Sequence, residues 1–314
     1  MAHADDDGLD EFLEFVEWQL VREQIAARTS SSPGSFKARE LRPTFDLDEV
    51  GRLQERTAQA LALVQAERLP DLEHVVDVDD LYRRLARAER GPGARELRWL
   101  AQTLEAAGAA RAAFAEAPAL QALVTDPADE PEGPALDEAL ARDTLAAIGA
   151  YGVVKSEASE ALAGVRAELL GAHERLRQAI ERLASQGALL LALAEPAVGE
   201  HEGLTCLRVR PDHARRVAGV IRGAARDGAL LVEPDAAQEE YSRVRELVAA
   251  EYAEARRVVI ALAARALPRR AAHVRLAAGL IQADVHLALA RHARDLVLTP
   301  PTIAPDLRAE LGAA

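Results

Sequence analysis

Leucine recurs at a strict seven-residue interval in the middle of the chain, at Leu162, Leu169, Leu176 and Leu183. Val165, Ala172 and Ala179 follow the first three leucines by three residues each. A helix with both spacings carries a continuous apolar seam, and such a seam is stable only when another helix or surface covers it. The repeat therefore predicts a long helix that packs lengthwise against a partner.

A second repeat supplies a candidate partner within the same chain. Its main positions are Tyr241, Val248, Ala255 and Leu262, and Val244 and Val258 lie between them. About fifty residues separate the two repeats, which is enough for the second helix to return antiparallel to the first. The spacing predicts an arm of two antiparallel helices with a small module at its tip.

Strands are expected only in that module. The apolar run Gly187–Leu193 and the partly alternating run Leu204–Arg210 are the first two candidates. Val217–Ile221 and Ala229–Val232 follow, bounded by glycines and by Pro234. Short runs of this kind between turn residues are typical of a small sheet.

The rest of the chain is rich in Ala, Leu, Arg and Glu, and only 4% of its residues are aromatic, a composition that favours helices. The first predicted helix covers Leu9–Arg28, with Phe12, Phe15, Val16, Leu20 and Val21 on its apolar face. A second begins at Asp46, which with Glu49 resembles a capping box. A last helix over Arg270–Asp295 follows Pro268. The fold class is mostly α.

These elements predict six segments: a helical core in two parts, an acidic linker, two lever helices and the tip between them. The tip, residues 188–234, is expected to contain β-structure and to resemble a clamp. The remaining bounds are 1–124 for the first part of the core, 125–136 for the proline-rich linker, 137–187 for the outgoing lever helix, 235–267 for the returning helix and 268–314 for the second part of the core.

Charge is distributed unevenly along the chain. The net charge is −13, yet His201–Pro300 contains sixteen arginines against twelve acidic residues. Six arginines fall within the tip: Arg208, Arg210, Arg215, Arg216, Arg222 and Arg226. Because a guanidinium group suits bidentate contacts to phosphate, they form the candidate nucleic-acid-binding set, with an ordinary solvated basic surface as the alternative. Arg208 and Arg210, two residues apart, are expected on one face of a strand.

No catalytic or metal site is predicted. His201 has no second histidine at ligand spacing, and Cys206 has no acid–base partner at a suggestive spacing. Asp284 lies within an apolar helix and is interpreted as a structural carboxylate. No apolar run is long enough to span a bilayer, and the first ten residues are acidic, so we expect a cytoplasmic protein that contacts no membrane.

Several short stretches occur in an order known from one family. They are Leu13–Phe15, Ser31–Gly34, Leu41–Thr44, Asp46–Val50, Ala158–Leu162, Gly219–Ile221, Gly228–Pro234 and Ala283–Asp284. Their order resembles the core, lever and clamp region of the MutS superfamily, most of all its MutS-II branch. Two departures stand out. Arg222–Asp227 replaces a loop that is rich in Ser and Gly in the family, and the chain has no G-x-x-x-x-G-K-[ST] phosphate loop.

The resemblance implies a homodimeric DNA-binding clamp whose arm tips close on structured nucleic acid, either branched DNA or ribosomal RNA. In complete members, ATP drives this closure. The ATPase and nuclease-like regions of the family are absent from this sequence, so we expect no enzyme activity and no cofactor, with ATP relevant only if a C-terminal ATPase domain exists.

The alternative is an adaptor without a motor, whose seam residues bind another helical protein, for example a full-length MutS-like protein, and which binds no nucleic acid. Pairing of the seam within the chain's own arm is the competing expectation. The sequence leaves open the oligomeric state, the choice between DNA and ribosome, and whether Ala314 is the natural end.

Overall fold

The computed structural model describes residues 4–87, 93–125, 131–303 and 309–310. Two compact units are present. The helical unit lies within Met1–Val153 and Val259–Ala314, and the mixed unit within Val154–Val258. Part of the predicted acidic linker, 126–130, lies outside the described residues.

The helical unit contains nine helices among the described residues, together with a short pairing of two strands. The helices are α1 (Ala4–Phe15), α2 (Trp18–Ala26), α3 (Ser32–Arg39), α4 (Leu47–Gln65), α5 (Val78–Arg87), α6 (Ala94–Ala113), α7 (Pro118–Val124), α8 (Gly133–Ala147) and α11 (Arg270–Asp295). The end of α10 (Gln238–Ala266) also belongs to this unit.

The first predicted helix is broken at Glu17. This residue has φ 52°, in the left-handed region, so α1 ends at Phe15 and α2 starts at Trp18. Helix α1 buries Leu13, whereas Phe12 and Phe15 are exposed. The prediction of one continuous helix over Leu9–Arg28 is therefore wrong, and these two residues of its expected apolar face are exposed.

At the start of the second predicted helix, the capping role of Asp46 is confirmed, but Glu49 does not complete a capping box. Oδ1 of Asp46 accepts hydrogen bonds from the backbone N–H groups of Asp48 and Glu49, at 3.0 and 3.2 Å, and so caps α4. The carboxylate of Glu49 accepts a hydrogen bond from the Thr44 hydroxyl at 2.8 Å. Asp46 therefore acts as an N-cap, and Glu49 fixes the preceding turn.

Helix α11 runs through the core of the helical unit with the bounds expected from the sequence. It is buried along most of its length and contacts α3, α4 and α7. The contact with α7 is made through backbone, since a Cβ atom on Gly279 would lie 1.7 Å from the carbonyl oxygen of Leu123. Only glycine permits this approach.

Asp284 of α11 is fully buried and joins this helix to the turn before α3. Its carboxylate accepts hydrogen bonds from the backbone N–H groups of Ser30 and Ser31, both at 2.8 Å, and from the Ser31 hydroxyl at 2.7 Å. The Ser31 oxygen in turn accepts from the N–H of Gly34, at the start of α3. Its interpretation as a structural carboxylate is confirmed by these contacts.

A second buried polar network joins α5, α8 and α11. The Tyr82 hydroxyl lies 2.6 Å from Nδ1 of His273, whose Nε2 lies 2.8 Å from the Asp137 carboxylate. Arg269 donates two hydrogen bonds to the same carboxylate, at 2.7 and 3.0 Å. Burial alone would raise the pKa of Asp137, but the hydrogen bonds from His273 and Arg269 outweigh it and lower the pKa. Asp137 therefore stays ionised.

The mixed unit combines α9 (Glu160–Ala184), a four-stranded sheet and most of α10. The strands are β1 (Leu193–His201), β2 (Leu204–Val209), β3 (Gly219–Ala224) and β4 (Leu230–Pro234), in the order β1-β2-β4-β3. Each neighbouring pair is antiparallel, with Leu207 opposite Val198 on one side and Val232 on the other. A small sheet is present as expected, but the first strand candidate, Gly187–Leu193, is wrong, since residues 187–192 form a turn and β1 begins at Leu193.

Both long helices pack against this sheet. Leu176 of α9 belongs to the same apolar core as Tyr241 and Val244 of α10, which also includes Leu207. Leu169 of α9 is half-buried and packs against this core. Ion pairs link the two helices: Arg166 Nε to Glu251 Oε1 at 2.8 Å, and Arg243 Nη2 to Glu168 Oε2 at 2.7 Å. Arg166, the earlier residue on α9, pairs with the later residue on α10, and Glu168 pairs with the earlier one, so the two helices run antiparallel.

Seven of the predicted seam residues, four on α9 and three on α10, differ in their surroundings. Leu162, Leu176 and Tyr241 are fully buried, and Leu169 and Leu183 are half-buried in contact with the core. Val248 is 48% exposed, and Leu247 occupies the buried position in its place because the stripe on α10 follows the helical period from Val244. Leu262 is buried in the part of α10 that belongs to the helical unit.

The predicted outgoing lever segment, 137–187, contains two helices separated by a turn. Helix α8 ends at Ala147, and Gly152 adopts φ 78° within the turn. Helix α9 then begins at Glu160, capped by the Ser159 hydroxyl, which accepts a hydrogen bond from the N–H of Leu162 at 3.0 Å.

Two helical glycines provide a matched test of the core. We expect Gly279→Ala to destabilise the protein by about 2–3 kcal/mol, since the new methyl group overlaps the Leu123 carbonyl. A Cβ atom on Gly164 of α9 would meet no neighbouring atom within 4 Å, so Gly164→Ala should stabilise by about 0.5–1 kcal/mol. Urea unfolding of both variants measures the two changes. Equal effects would contradict the close approach of α11 to α7.

Candidate nucleic-acid interface

The six arginines of the tip divide into two structural classes. Arg208 and Arg222 form ion pairs within the mixed unit. The other four are exposed: Arg210, Arg215, Arg216 and Arg226. The sequence alone gives no basis for distinguishing these two classes among the six arginines.

Arg208 lies in β2, with β1 and β4 on either side, and only 8% of its surface is exposed. Its guanidinium donates a hydrogen bond to the Pro196 carbonyl at 2.9 Å and forms a close ion pair with Asp227. Room for its aliphatic stem comes from Gly199, where a Cβ atom would lie 2.9 Å from Cγ and Cδ of Arg208. Arg208 therefore stabilises the sheet.

The expectation that Arg208 and Arg210 share a strand face is wrong. Strand β2 ends at Val209, and Arg210 begins the following turn, where its backbone N–H donates to the Ala192 carbonyl at 2.8 Å. Because the strand ends there, two-residue alternation no longer determines where the Arg210 side chain points. Arg210 is exposed while Arg208 is buried.

Arg222 of β3 pairs with Glu233 of β4. Its Nη2 donates to Oε2 of Glu233 at 2.9 Å, and Arg245 of α10 makes a close ion pair with the same oxygen. Glu233 is only 3% exposed. Burial alone would raise the pKa of this carboxyl, but the two guanidinium groups outweigh it and lower the pKa.

Sequence reasoning did not identify Glu233 or Arg245 as part of this arrangement. Glu233 lies in the Gly228–Pro234 stretch that carries the family resemblance, but an Asp or Glu beside Pro carries no local indication of its partners. Arg245 lies on α10 and reaches Glu233 only through the packing of that helix on the sheet. Both residues required the tertiary structure.

The four remaining arginines are available for contacts outside the chain. Arg215 and Arg216 end a short 3-10 turn, Pro211–Arg216, after β2. Arg226 lies in the hairpin between β3 and β4, which is closed by the Ala225 N–H and the Ala229 carbonyl at 2.7 Å. None of the four guanidinium groups makes a hydrogen bond or ion pair with the described part of the chain. Four exposed, uncompensated cations suit contacts with phosphate.

Histidine, cysteine and acidic residues of the mixed unit form no metal site among the described residues. A cavity of about 120 Å³ is lined by His201, Glu202, Leu204, Arg222, Glu233 and Arg245. Within the described ranges, no three His, Cys, Asp or Glu side chains are grouped so that they could hold a metal ion.

Cys206 is buried in β2, and burial raises the pKa of its thiol, which keeps it protonated at neutral pH. No described helix is long and apolar enough to cross a membrane.

Arg208 and Arg210 provide a test of the division into two classes. We expect Arg208→Ala to destabilise the mixed unit by about 2 kcal/mol, because it removes the packed stem and leaves the Pro196 carbonyl without this donor. Arg210→Ala should leave stability within about 0.5 kcal/mol of the wild type. Hydrogen exchange of the β2 amides measures both effects. Similar protection in the two variants would contradict the buried role of Arg208.

Glu233 makes the stability of the mixed unit depend on pH. Its pKa is lower in the folded chain than in the unfolded chain, so its stabilisation is complete above the ordinary glutamate value of about 4.3 and is lost as pH falls through the folded value. We expect Glu233→Gln to cost about 1–3 kcal/mol at pH 7 and to remove part of the loss at acid pH. Hydrogen exchange of the β4 amides between pH 7 and pH 3 measures this dependence. A difference between wild type and variant that does not shrink at acid pH would contradict it.

Comparison with known proteins agrees with the resemblance seen in the sequence. No protein-family model matches the chain. The chain is 31% identical over 303 residues to Endonuclease MutS2 of Thermomicrobium roseum, and 27% identical over 307 residues to the protein of the same name from Geobacillus thermodenitrificans. A third, from Pelotomaculum thermopropionicum, is 29% identical over 261 residues.

The first two alignments cover 93% of this chain and 37% of each relative, and the third covers 80% of the chain and 32% of the relative. The chain therefore spans about a third of the length of the curated relatives it matches. Nearly all of its own sequence is nevertheless included in the two longer matches. These similarities support a relationship between this chain and MutS2 proteins.

Proposed function

We propose that the chain is a nucleic-acid-binding module of the MutS-II type and that its tip contacts the phosphate backbone. The observation that carries the proposal is the set of four exposed arginines without partners among the described residues: Arg210, Arg215, Arg216 and Arg226. The similarity to proteins named Endonuclease MutS2 supports a DNA-related role.

The division of the tip arginines gives the proposal a physical basis. To bind phosphate, a cation that is already paired with a buried carboxylate would first have to break that pair. The new phosphate contact would only compensate for the contact that is lost. Arg222 is in this position through Glu233, and Arg208, which is itself buried, would have to leave both its ion pair with the exposed Asp227 and its packing in β2. An exposed guanidinium exchanges only water and counterions for phosphate, and the released counterions favour binding. The four exposed arginines are thus the proposed contacts, and the two paired ones support the sheet that presents them.

The same proposal assigns roles to the larger elements. Helices α9 and α10 would form the lever, the sheet would form the clamp, and the helical unit would form the core. Two copies would close around the target as a homodimer. Branched DNA and structured ribosomal RNA present the same phosphate chemistry, so both are candidate targets. Phosphate contacts read backbone position rather than base sequence.

Catalysis has no place in this proposal. The relatives are named endonucleases, but the matched region is about a third of their length, and the activity in that name belongs to the whole proteins. In this chain the buried Cys206 thiol and the paired Glu233 are held in structural contacts. ATP-driven closure would require a domain outside this sequence.

The adaptor alternative depended on a seam available to another protein. Leu169 and Leu176 instead pack in the apolar core that includes Tyr241. A partner helix would have to open this core to reach them. The structural observations therefore favour the phosphate-binding proposal over capture of a helix by the seam.

The proposal is tested with a charge-matched pair of variants. The tip variant carries Ala at Arg210, Arg215, Arg216 and Arg226, and the control carries Ala at four exposed arginines of the helical unit, Arg52, Arg68, Arg83 and Arg142. If each tip arginine contacts one phosphate, the logarithmic salt slope of binding should fall by about 3.6 in the tip variant. The control should keep most of the wild-type slope, although both lose four positive charges.

Binding is measured by fluorescence anisotropy with a labelled four-way DNA junction and with an RNA stem of equal charge, between 50 and 200 mM salt. Preference for one probe identifies the target class. Equal slopes for the tip variant and the wild type on both probes would overturn the assignment of the tip arginines. Equal loss in the tip and control variants would reduce the effect to net charge and would overturn it as well.

A further inference from the structure

Helices α1 and α2 leave an apolar surface without a partner in the described structure. Phe12, Phe15 and Leu20 are 57%, 86% and 53% exposed. Next to them is an open groove of about 730 Å³, whose lining includes Leu13 and Trp18. Large apolar side chains that are exposed together, beside a concave surface, are typical of a protein interaction site. This surface, with the groove, is called the α1–α2 groove below.

The wall of the groove is fixed by a hydrogen bond. Nε1 of Trp18 donates to the carbonyl oxygen of Leu41 at 2.9 Å, which holds the indole ring in place at the start of α2. An amphipathic ring with its polar atom satisfied presents the rest of its surface for apolar contact. The groove is therefore an ordered surface, and Trp18 is one of only two tryptophans in the chain.

The charge around the groove restricts what can occupy it. Among the residues of α1, α2 and the turn between them whose side chains the structure describes, four are acidic, Glu11, Glu14, Glu17 and Glu23, and one is basic, Arg22. Glu14, Glu17 and Glu23 line the groove itself, together with Arg22 and Arg42, so that acidic side chains outnumber basic ones by one in the lining. A second copy of the chain would bring an equally acidic surface against this one, and like charges across an interface oppose association. A basic occupant would meet complementary charge.

We infer that the α1–α2 groove binds a basic amphipathic helix of a protein partner. The apolar side of such a helix would cover Phe12, Phe15 and Trp18, and its Lys or Arg side chains would face Glu14 and Glu17. Helix-in-groove recognition uses this combination of apolar anchors and charged rim. The inference concerns the helical unit and is independent of nucleic-acid binding by the tip.

Intrinsic fluorescence reports on the groove directly. In a Trp99→Phe background, Trp18 is the only tryptophan, so a change in its emission reports occupancy of the groove. The probes are two synthetic amphipathic helices with the same leucine face, one with lysine and one with glutamate on the polar face. We expect the lysine peptide to shift Trp18 emission with saturation and the glutamate peptide to bind at least tenfold more weakly.

Two variants separate specific docking from attraction to the acidic chain. Phe12→Ser with Phe15→Ser preserves every charge and should weaken the lysine peptide by tenfold or more, since buried aromatic anchors dominate such interfaces. Glu14→Gln with Glu17→Gln should weaken it and reduce its salt dependence. Tyr151→Ser removes an exposed aromatic residue outside the groove and should leave the affinity unchanged. Circular dichroism and thermal unfolding check that each variant is folded.

Several outcomes would overturn the inference. One is equal binding of the two peptides, and another is an affinity for the lysine peptide that does not change in the folded Phe12/Phe15 variant. Absence of any Trp18 response at millimolar peptide is a third. Concentration-dependent self-association of the wild type that the Phe12/Phe15 variant loses would assign the groove to a second copy instead. None of these results bears on the salt slope of the tip variant, so the two proposals fail separately.

Discussion

Buried carboxylates join parts of this chain that are distant in sequence. Asp284 accepts three hydrogen bonds from Ser30 and Ser31, some 250 residues earlier. Asp137 is shared by His273 and Arg269. A buried carboxylate without partners is very costly, and removal of one partner destabilises far more than the pair contributes. The helical unit therefore depends on these contacts for the relative positions of α3, α8 and α11.

Glu233 is the corresponding buried carboxylate of the mixed unit. Its ion pairs also determine which arginines there are left without a partner in the described part of the chain. By pairing with Arg222 and Arg245, it offsets one of their two positive charges and joins β3, β4 and α10. Asp227 does the same for Arg208. Fewer arginines of the tip are therefore unpaired than its composition indicates. The positions of the acidic residues determine which arginines those are.

Sequence patterns predicted the elements better than the environments of single residues. The bounds of α11, the cap at Asp46 and the strands around Leu207 follow from local signals, because capping residues, prolines and apolar runs act within a few positions. The single helix over Leu9–Arg28 and the burial of Val248 were predicted wrongly, since the left-handed conformation of Glu17 divides that helix and the buried stripe of α10 passes through Leu247 instead. The ion pairs of Arg208 and Arg222 could not be predicted, because their partners are brought near by sheet register and hairpin geometry.

The exposed tip arginines have a consequence for control. A guanidinium group stays protonated across the physiological range of pH, and it is not a substrate for lysine acetylation. The chain has only two lysines, Lys37 and Lys155, and neither lies in the tip. The positive charge that Arg215, Arg216 and Arg226 present is therefore permanent. Any timing of attachment and release would have to come from movement of the surface that carries these residues, or from a competitor for the same phosphates.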